Sequence, residues 1–249
     1  MSNFENKTVV ITGGNSGIGL ATAQKFKAAG ARVITNARNE ARKAETLEQF
    51  PDLFDAVLVA DVSNLDHLDS FFAAIKEQFG SIDVLYLNAG VAYFEPIDTH
   101  SLETYNKHFD INVKGVFFGV QKALGLLKEG SSILVTTSVV NQMAMPGSSS
   151  YAATKAAVRS LVQTIGAELA PKGIRINAIS PGPIETPIFG KMGMPEEAVE
   201  GMAGEILSGV PAGRFGKADE VADAALFLAG NGFVNGTEIV VDGGMAYLS

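Results

Sequence analysis

Two residues four positions apart have the chemistry to move a proton. They are Tyr151 and Lys155, in the run Tyr151-Ala152-Ala153-Thr154-Lys155 that opens a predicted helix over Tyr151–Ala170. Positions four apart share a helix face, so both side chains project together. A phenol has a pKa near ~10, too high for ready proton exchange at neutral pH. A nearby ammonium favours the phenolate and lowers that value. A tyrosine so placed can act as a general acid or base near pH 7. On spacing alone the pair also fits an ordinary surface contact, so its weight depends on what surrounds it. A predicted strand over Ser132–Thr136 leads into Thr137-Ser138 shortly before that helix opens.

A second constellation lies near the N-terminus. A predicted strand over Thr8–Thr12 runs into Thr12-Gly13-Gly14-Asn15-Ser16-Gly17-Ile18-Gly19 and then into a predicted helix over Ile18–Ala29. Glycines allow a tight turn and close backbone approach, and the helix start offers unpaired N–H groups to a pyrophosphate. The spacing is G-x3-G-x-G, and its place between strand and helix gives it meaning. No Gly-Lys pair is followed by Ser or Thr, which excludes a P-loop, and no G-x-S-x-G elbow is present. Strand two ends Ile34-Thr35-Asn36-Ala37-Arg38, with no acid at its tip. An acid there would suit the ribose hydroxyl of NAD, whereas a guanidinium suits the 2′-phosphate of NADP. Arg38 therefore points to NADP(H), with NAD(H) still possible. Glu40 is either a rival ribose ligand or a first-turn acid of the next helix. Asp61-Val62, after strand three, reads as an adenine contact or a helix cap. Small residues in Asn88-Ala89-Gly90, after strand four, would let a cofactor lie across the sheet.

These residues need a scaffold that brings strand ends together. Apolar runs at Thr8–Thr12, Arg32–Asn36, Ala56–Val59, Val84–Leu87, Ser132–Thr136, Ile174–Ile179 and Glu238–Val241 read as strands. Helical patterns alternate with them at Ile18–Ala29, Glu40–Phe50, Leu65–Phe79, Leu102–Leu127, Tyr151–Ala170 and Asp219–Leu228. Runs such as Val9-Val10-Ile11 are apolar throughout, as expected of strands covered by helices on both faces. The alternation predicts an α/β fold, a doubly wound parallel sheet in one domain over residues 1–249. The stretch Ile184–Gly216, rich in Gly, Pro and Met, has no clear strand and reads as a substrate lid.

Composition narrows the chemistry. The 249 residues include 27 glycines and no cysteine, and the net charge is −8. Without cysteine there is no thiolate nucleophile, disulfide or iron–sulfur ligand. The acidic balance disfavours nucleic acid and anionic membranes as partners. No apolar run approaches the ~20 residues that span a bilayer. The N-terminus lacks the apolar stretch of a signal peptide, so the expected compartment is the cytoplasm. His67, His100 and His108 have no metal-ligand spacing, and no metal is expected.

Taken together, the motifs resemble the short-chain dehydrogenase/reductase family. The matching pieces are the glycine-rich turn, Asp61-Val62, Asn88-Ala89-Gly90, Asn112-Val113, Ser138, Tyr151 to Lys155, Pro181-Gly182-Pro183-Ile184-Glu185-Thr186 and Val240-Val241-Asp242-Gly243-Gly244. The resemblance runs from residue 7 to residue 244. It implies a Rossmann fold with strand order 3-2-1-4-5-6-7 and hydride transfer between NAD(P)(H) and a carbonyl or alcohol. It implies a tetrad in which Tyr151 protonates the carbonyl oxygen and Ser138 orients it. Lys155 would lower the tyrosine pKa and bind the nicotinamide ribose, and Asn112 would hold a relay water. Pro181, Gly182, Ile184 and Thr186 would bind carboxamide and pyrophosphate, with Gly90 and Gly182 permitting close approach. Ser16 departs from the basic residue that NADP-preferring relatives often carry before the middle glycine. Val140, Met145 and Phe189 are substrate-side candidates, in a largely apolar set suited to a hydrophobic ketone or secondary alcohol. The alternatives are a 3-oxoacyl-thioester reductase and a non-catalytic dinucleotide-binding regulator. The longer Tyr/Lys spacing usual in enoyl reductases is absent. A homotetramer is implied by the resemblance alone.

Overall fold

Each predicted apolar run forms a strand. The computed structural model describes residues 4–187 and 196–248. The strands are β1 (Thr8–Thr12), β2 (Arg32–Ala37), β3 (Ala56–Val59), β4 (Ile82–Leu87), β5 (Leu127–Thr136), β6 (Arg175–Pro181), the short β7 (Ile184–Glu185) and β8 (Gly216–Lys217), and β9 (Glu238–Val241). Seven of them make one parallel sheet in the order β3-β2-β1-β4-β5-β6-β9. The reversal between β1 and β4 creates a switch point where ligands bind in such sheets.

Nine helices complete the described chain: α1 (Gly17–Ala28), α2 (Glu40–Gln49), α3 (Leu65–Phe79), α4 (Leu102–Phe109), α5 (Gly115–Ala123), α6 (Ser149–Leu169), α7 (Glu196–Ser208), α8 (Ala218–Gly230) and α9 (Met245–Leu248). Alternate residues of a strand face opposite sides of a sheet. Val10, Ile34, Leu85, Ile133 and Ile176 pack on one side with Phe71 and Phe72 of α3, Val120 of α5 and Val158 of α6. Val9, Ile11, Val33, Leu134 and Ile179 pack on the other with Phe26 of α1 and Val221 and Leu228 of α8. Both faces are therefore apolar, which is why the strand sequences do not alternate. Among the described residues, no helix is long and apolar enough to cross a membrane.

Two expectations are corrected. The single helix predicted over Leu102–Leu127 is three pieces, with a π-helical turn at Asp110–Lys114 between α4 and α5. The wider turn carries Asn112 inward, where it is 1% exposed. The helix also stops early. Leu126 N–H bonds back to the Ala123 carbonyl, and Leu127 already pairs with Ile82 in the sheet. Gly125 lies in the intervening turn, and glycine is a poor helix former. The second correction concerns Ile184–Gly216. Its two ends are strands after all, β7 and β8, paired through Ile184–Gly216 and Glu185–Lys217. Two residues each are too few to leave an apolar pattern in the sequence.

Candidate active site

A cleft of about 330 Å³ opens at the C-terminal ends of β1, β4, β5 and β6. Ser138, Tyr151 and Lys155 line it, together with Gly13, Ser16, Gly17, Ile18, Asn88, Ala89, Gly90, Pro181, Gly182, Ile184 and Thr186. Its remaining wall is mostly apolar and includes Val140, Met145, Phe94, Ile206 and Met245. Sixteen of the residues singled out from sequence thus meet in one place.

The reacting groups come from two elements. β5 ends at Thr136, and Ser138 follows in extended backbone before a 3₁₀ turn over Val139–Asn141. α6 supplies Tyr151 and Lys155 from its first two turns. Lys155 is 4% exposed and makes no ion pair among the described residues; its ammonium donates to the Thr136 carbonyl at 2.8 Å. Burial pulls its pKa down to about 8. An ammonium has three N–H donors, so the one protein bond leaves two for a ligand in the cleft. Burial also pushes the Tyr151 phenol up from its ordinary value, and the hydrogen bond from Ser138 draws it part of the way back. Burial, rather than Lys155, sets the direction of the Tyr151 shift in this structure. The ammonium is 5.7 Å from the Tyr151 ring centre and spends a proton on Thr136, so desolvation outweighs it. The result is a tyrosine held protonated beside a serine hydroxyl.

Asn112 sits behind this pair. Its Oδ1 accepts from Val91 N–H at 2.9 Å, and its Nδ2 donates to the Val91 carbonyl at 2.9 Å and to the Thr154 hydroxyl at 3.2 Å. A Cβ at Gly90 would lie 3.2 Å from Asn112 Oδ1 and 3.6 Å from Lys155 Nζ, so both groups lie beneath Gly90.

The glycine turn is braced from the neighbouring strand. Gly13 N–H donates to Asn36 Oδ1 and Gly14 N–H to Thr35 Oγ1, each at 2.9 Å. A Cβ on Gly19 would lie 2.3 Å from the Gly13 carbonyl, so only glycine lets α1 close against the turn. Ser16, at the start of α1, makes no side-chain cap, and the helix therefore lacks a side-chain acceptor of its own for its first amides. Those uncapped amides, the glycine cradle and the two unspent Lys155 donors fit a dinucleotide pyrophosphate and ribose. Gly182 lines the cleft, but its lack of a side chain has another cause. A Cβ there would lie 2.6 Å from Asp242 Cβ, so the glycine accommodates β9 rather than a cofactor.

Other predicted residues lie outside the cleft wall. Asn15 donates to Thr46 of α2 at 3.0 Å. Asp61 accepts from Ser63 N–H and Oγ, and α3 is capped by Asn64, so Asp61 is not the cap. Val62 packs over Gly115. Arg38 is exposed at the tip of β2 and makes no hydrogen bond or ion pair with the described residues. Asn39 caps α2, and Glu40 lies in its first turn, 4.0 Å from Lys43. Asn36 Nδ2 bonds the Ala60 carbonyl, tying the tips that carry Arg38 and Asp61 to the glycine turn. Phe189 lies outside the described residues.

Sequence reasoning passed over the braces. Thr136 receives Lys155 on its carbonyl, and its hydroxyl bridges Tyr86 and Asn88. Asn88 spends its side chain on Thr12, Gly13 and Thr136, so it is a tie and not a small residue giving space. His108, fully buried, accepts from Tyr93 N–H at 3.0 Å and reaches Ser150 Oγ at 2.7 Å; its ring is 5.8 Å from that of Tyr151. The available signal was a polar residue inside an apolar run, as in Val33-Ile34-Thr35-Asn36. Met245 was invisible because it reaches the cleft from the far end of the chain.

A parallel sheet with this strand order, a glycine turn at its switch point and a Ser/Tyr/Lys cleft define a dinucleotide-binding oxidoreductase, and the comparisons agree. Residues 13–246 match a family model described as enoyl-(acyl carrier protein) reductase. The chain belongs to the short-chain dehydrogenase/reductase family, nicotinamide-dinucleotide oxidoreductases acting on carbonyl and hydroxyl groups. It is 36% identical to a 3beta-hydroxysteroid dehydrogenase of Eggerthella lenta, over 98% of this chain and 95% of that one. It is 37% identical to the 3-oxoacyl-[acyl-carrier-protein] reductase FabG of Thermotoga maritima, over 97% and 98%. The crystal structure of a levodione reductase superposes with a TM-score of 0.89 at 35% identity, covering 98% of each chain. That of a short-chain dehydrogenase from Burkholderia cenocepacia in complex with NADP gives 0.87 at 29%, covering 98% and 99%.

Proposed function

We propose that the protein is an NADPH-dependent reductase of a hydrophobic ketone, reversible as a secondary-alcohol dehydrogenase. The observation that carries this reading is the cleft itself, where Ser138, Tyr151 and Lys155 face an apolar wall of Phe94, Val140, Met145, Ile206 and Met245. A bound nicotinamide supplies hydride. The protein's residues do the rest. Tyr151 gives its phenolic proton to the substrate oxygen as negative charge develops there, and Ser138 donates a second hydrogen bond to that oxygen. Lys155 holds the nicotinamide ribose with its two unspent N–H bonds and places a positive charge beneath the phenol. Asn112 Oδ1 keeps one lone pair for a water that resupplies the proton. Gly13, Ser16, Gly17, Ile18 and Thr186 bind the pyrophosphate, Arg38 the 2′-phosphate, and Asp61 and Val62 the adenine end. The far wall, uncharged among the described residues, supports a ketone whose bulk is hydrocarbon.

The segment between β7 and β8 acts as the substrate lid: its ends are pinned as strands, and α7 brings Ile206 to the cleft. We assign the protein to the cytoplasm and to a homo-oligomer. Exposure of Leu102, Tyr105 and Phe117 on α4 and α5 supports a covered surface there.

The test is NADPH and NADH oxidation against alicyclic ketones, aromatic ketones, β-ketoesters and an acetoacetyl thioester. Turnover of the alicyclic or aromatic ketones is expected. Turnover of the thioester alone would favour a 3-oxoacyl-thioester reductase, the reading that the Thermotoga relative suggests. No carbonyl turnover with either cofactor would overturn the assignment. Tyr151→Phe should lower kcat by at least ~1,000-fold, within the range of one general acid, while NADPH still binds.

A further inference from the structure

We propose that Glu238 is a positioning residue that fixes Ser138 against Tyr151. Glu238 opens β9, the last strand of the sheet, and its carboxylate is 8% exposed. Oε1 accepts from Asn141 Nδ2 at 2.8 Å and from the Thr137 hydroxyl. Oε2 accepts from Gln142 Nε2 at 3.0 Å and lies 3.1 Å from Arg159 Nε. A carboxylate has about four acceptor sites, and four groups approach them, Thr137 sharing its one hydroxyl proton with the Ile179 carbonyl. Three of those groups belong to the short strap 137–142 that carries Ser138. The fourth belongs to α6, at the third member of the series Tyr151, Lys155 and Arg159, each four residues from the last on one face of the helix. One buried anion therefore joins the two elements that hold the halves of the reacting pair. Bonds to a carboxylate are stronger and more directional than neutral ones, which suits a fixed separation.

Glu238 touches neither the phenol nor the cleft, so it acts through Ser138. The Ser138 hydroxyl is what draws the buried Tyr151 phenol back down. If the strap loosens, that bond weakens and the phenol titrates higher. The titratable groups facing Tyr151 are Lys155 on its own helix and His108 on α4, and neither contacts Glu238.

The inference rests on Ser138 and Tyr151 being the proton-donating pair, and the experiment separates the two ideas. The kcat pH profile for alcohol oxidation is measured for the native enzyme, Ser138→Ala, Glu238→Ala and the double variant, with NADPH affinity followed by fluorescence. Glu238→Ala should lower kcat by about 10–100-fold, shift its profile to higher pH and leave cofactor affinity within about twofold, because a transition-state contact is lost and a ground-state one is not. In the Ser138→Ala background the same change should cost less than about twofold, the non-additivity of residues acting in series. Glu238→Gln keeps the shape and part of the bonding, so it should fall between native and alanine; it also serves if Glu238→Ala does not fold. Equal losses in both backgrounds, or an unmoved pH profile, would overturn the role of Glu238 alone. Full activity in Ser138→Ala by itself would overturn the reading of the site, and this inference with it.

Discussion

On the proposed reading, Arg38 would discriminate between two cofactors by one phosphate. Its guanidinium is exposed and unspent, and Ala37 leaves no acid beside it at the tip of β2. A charged hydrogen bond contributes about 1.5–3 kcal/mol, so Arg38→Ala should raise the KM for NADPH about 10–100-fold. The KM for NADH should barely move, which steady-state kinetics with both cofactors checks. Lys155 makes a different trade. Its folded pKa of about 8 lies below the ordinary lysine value. The native state therefore holds its proton less tightly, and the resulting cost to folding is present in full below pH 8. It disappears as pH rises from 8 towards the unfolded value. That shift corresponds to about 3 kcal/mol, set against about 1–3 kcal/mol for a Thr136 carbonyl left without its donor. Lys155→Met should therefore keep or raise the melting temperature of the ligand-free protein while removing turnover. A fall of several degrees would show that the ammonium is not under this strain.

Among the elements, the π-helical turn connects α4 to the site. Asn112 pairs with both the N–H and the carbonyl of Val91, as a neighbouring strand would. Asn112→Ala leaves both half-buried Val91 groups without this partner, at up to about 1–3 kcal/mol each. The melting temperature should drop by about 5–15 °C, which calorimetry would show, with turnover reduced as the loop after β4 loosens. The sequence announced the elements better than their joints. Apolar runs placed each strand of the main sheet because a doubly covered sheet demands continuous hydrophobicity. Tyr151 and Lys155 were readable because helical spacing is local. The break at Asp110–Lys114 was not, since a π turn inserts one residue without changing composition. Nor was Thr136, whose partners lie 19 to 50 residues away. Spacing along a chain records neighbours on one helix and loses those gathered by the fold.

For the molecule as a whole, acid sensitivity should run through His108. Burial holds its pKa at about 4, well below the ordinary histidine value. Unfolded chains therefore bind more protons between about pH 6.5 and pH 4, and stability falls as pH drops through that window. Protonation would also break the bond from Tyr93 N–H that joins the loop after β4 to α4. Urea titrations should show this fall in the native protein, amounting to up to about 3 kcal/mol. The same titrations on His108→Gln should show a shallower dependence, whatever its stability at neutral pH. An identical slope would move the acid response to other groups.

The cleft draws on residues from Gly13 to Met245, and β9 pairs with β6 through Ala178 and Glu238 at the edge of the sheet. During synthesis, the nascent chain can lay down six strands of the sheet before β9 leaves the ribosome, with β6 still an open edge. Such an edge is a template for pairing with another chain. A nascent chain stopped before β9 would hold most of a nucleotide cradle, a strap around Ser138 without its Glu238 tie, and an adhesive flank. Late assembly of the catalytic wall thus makes enzymatic activity a readout of β9 docking on β6.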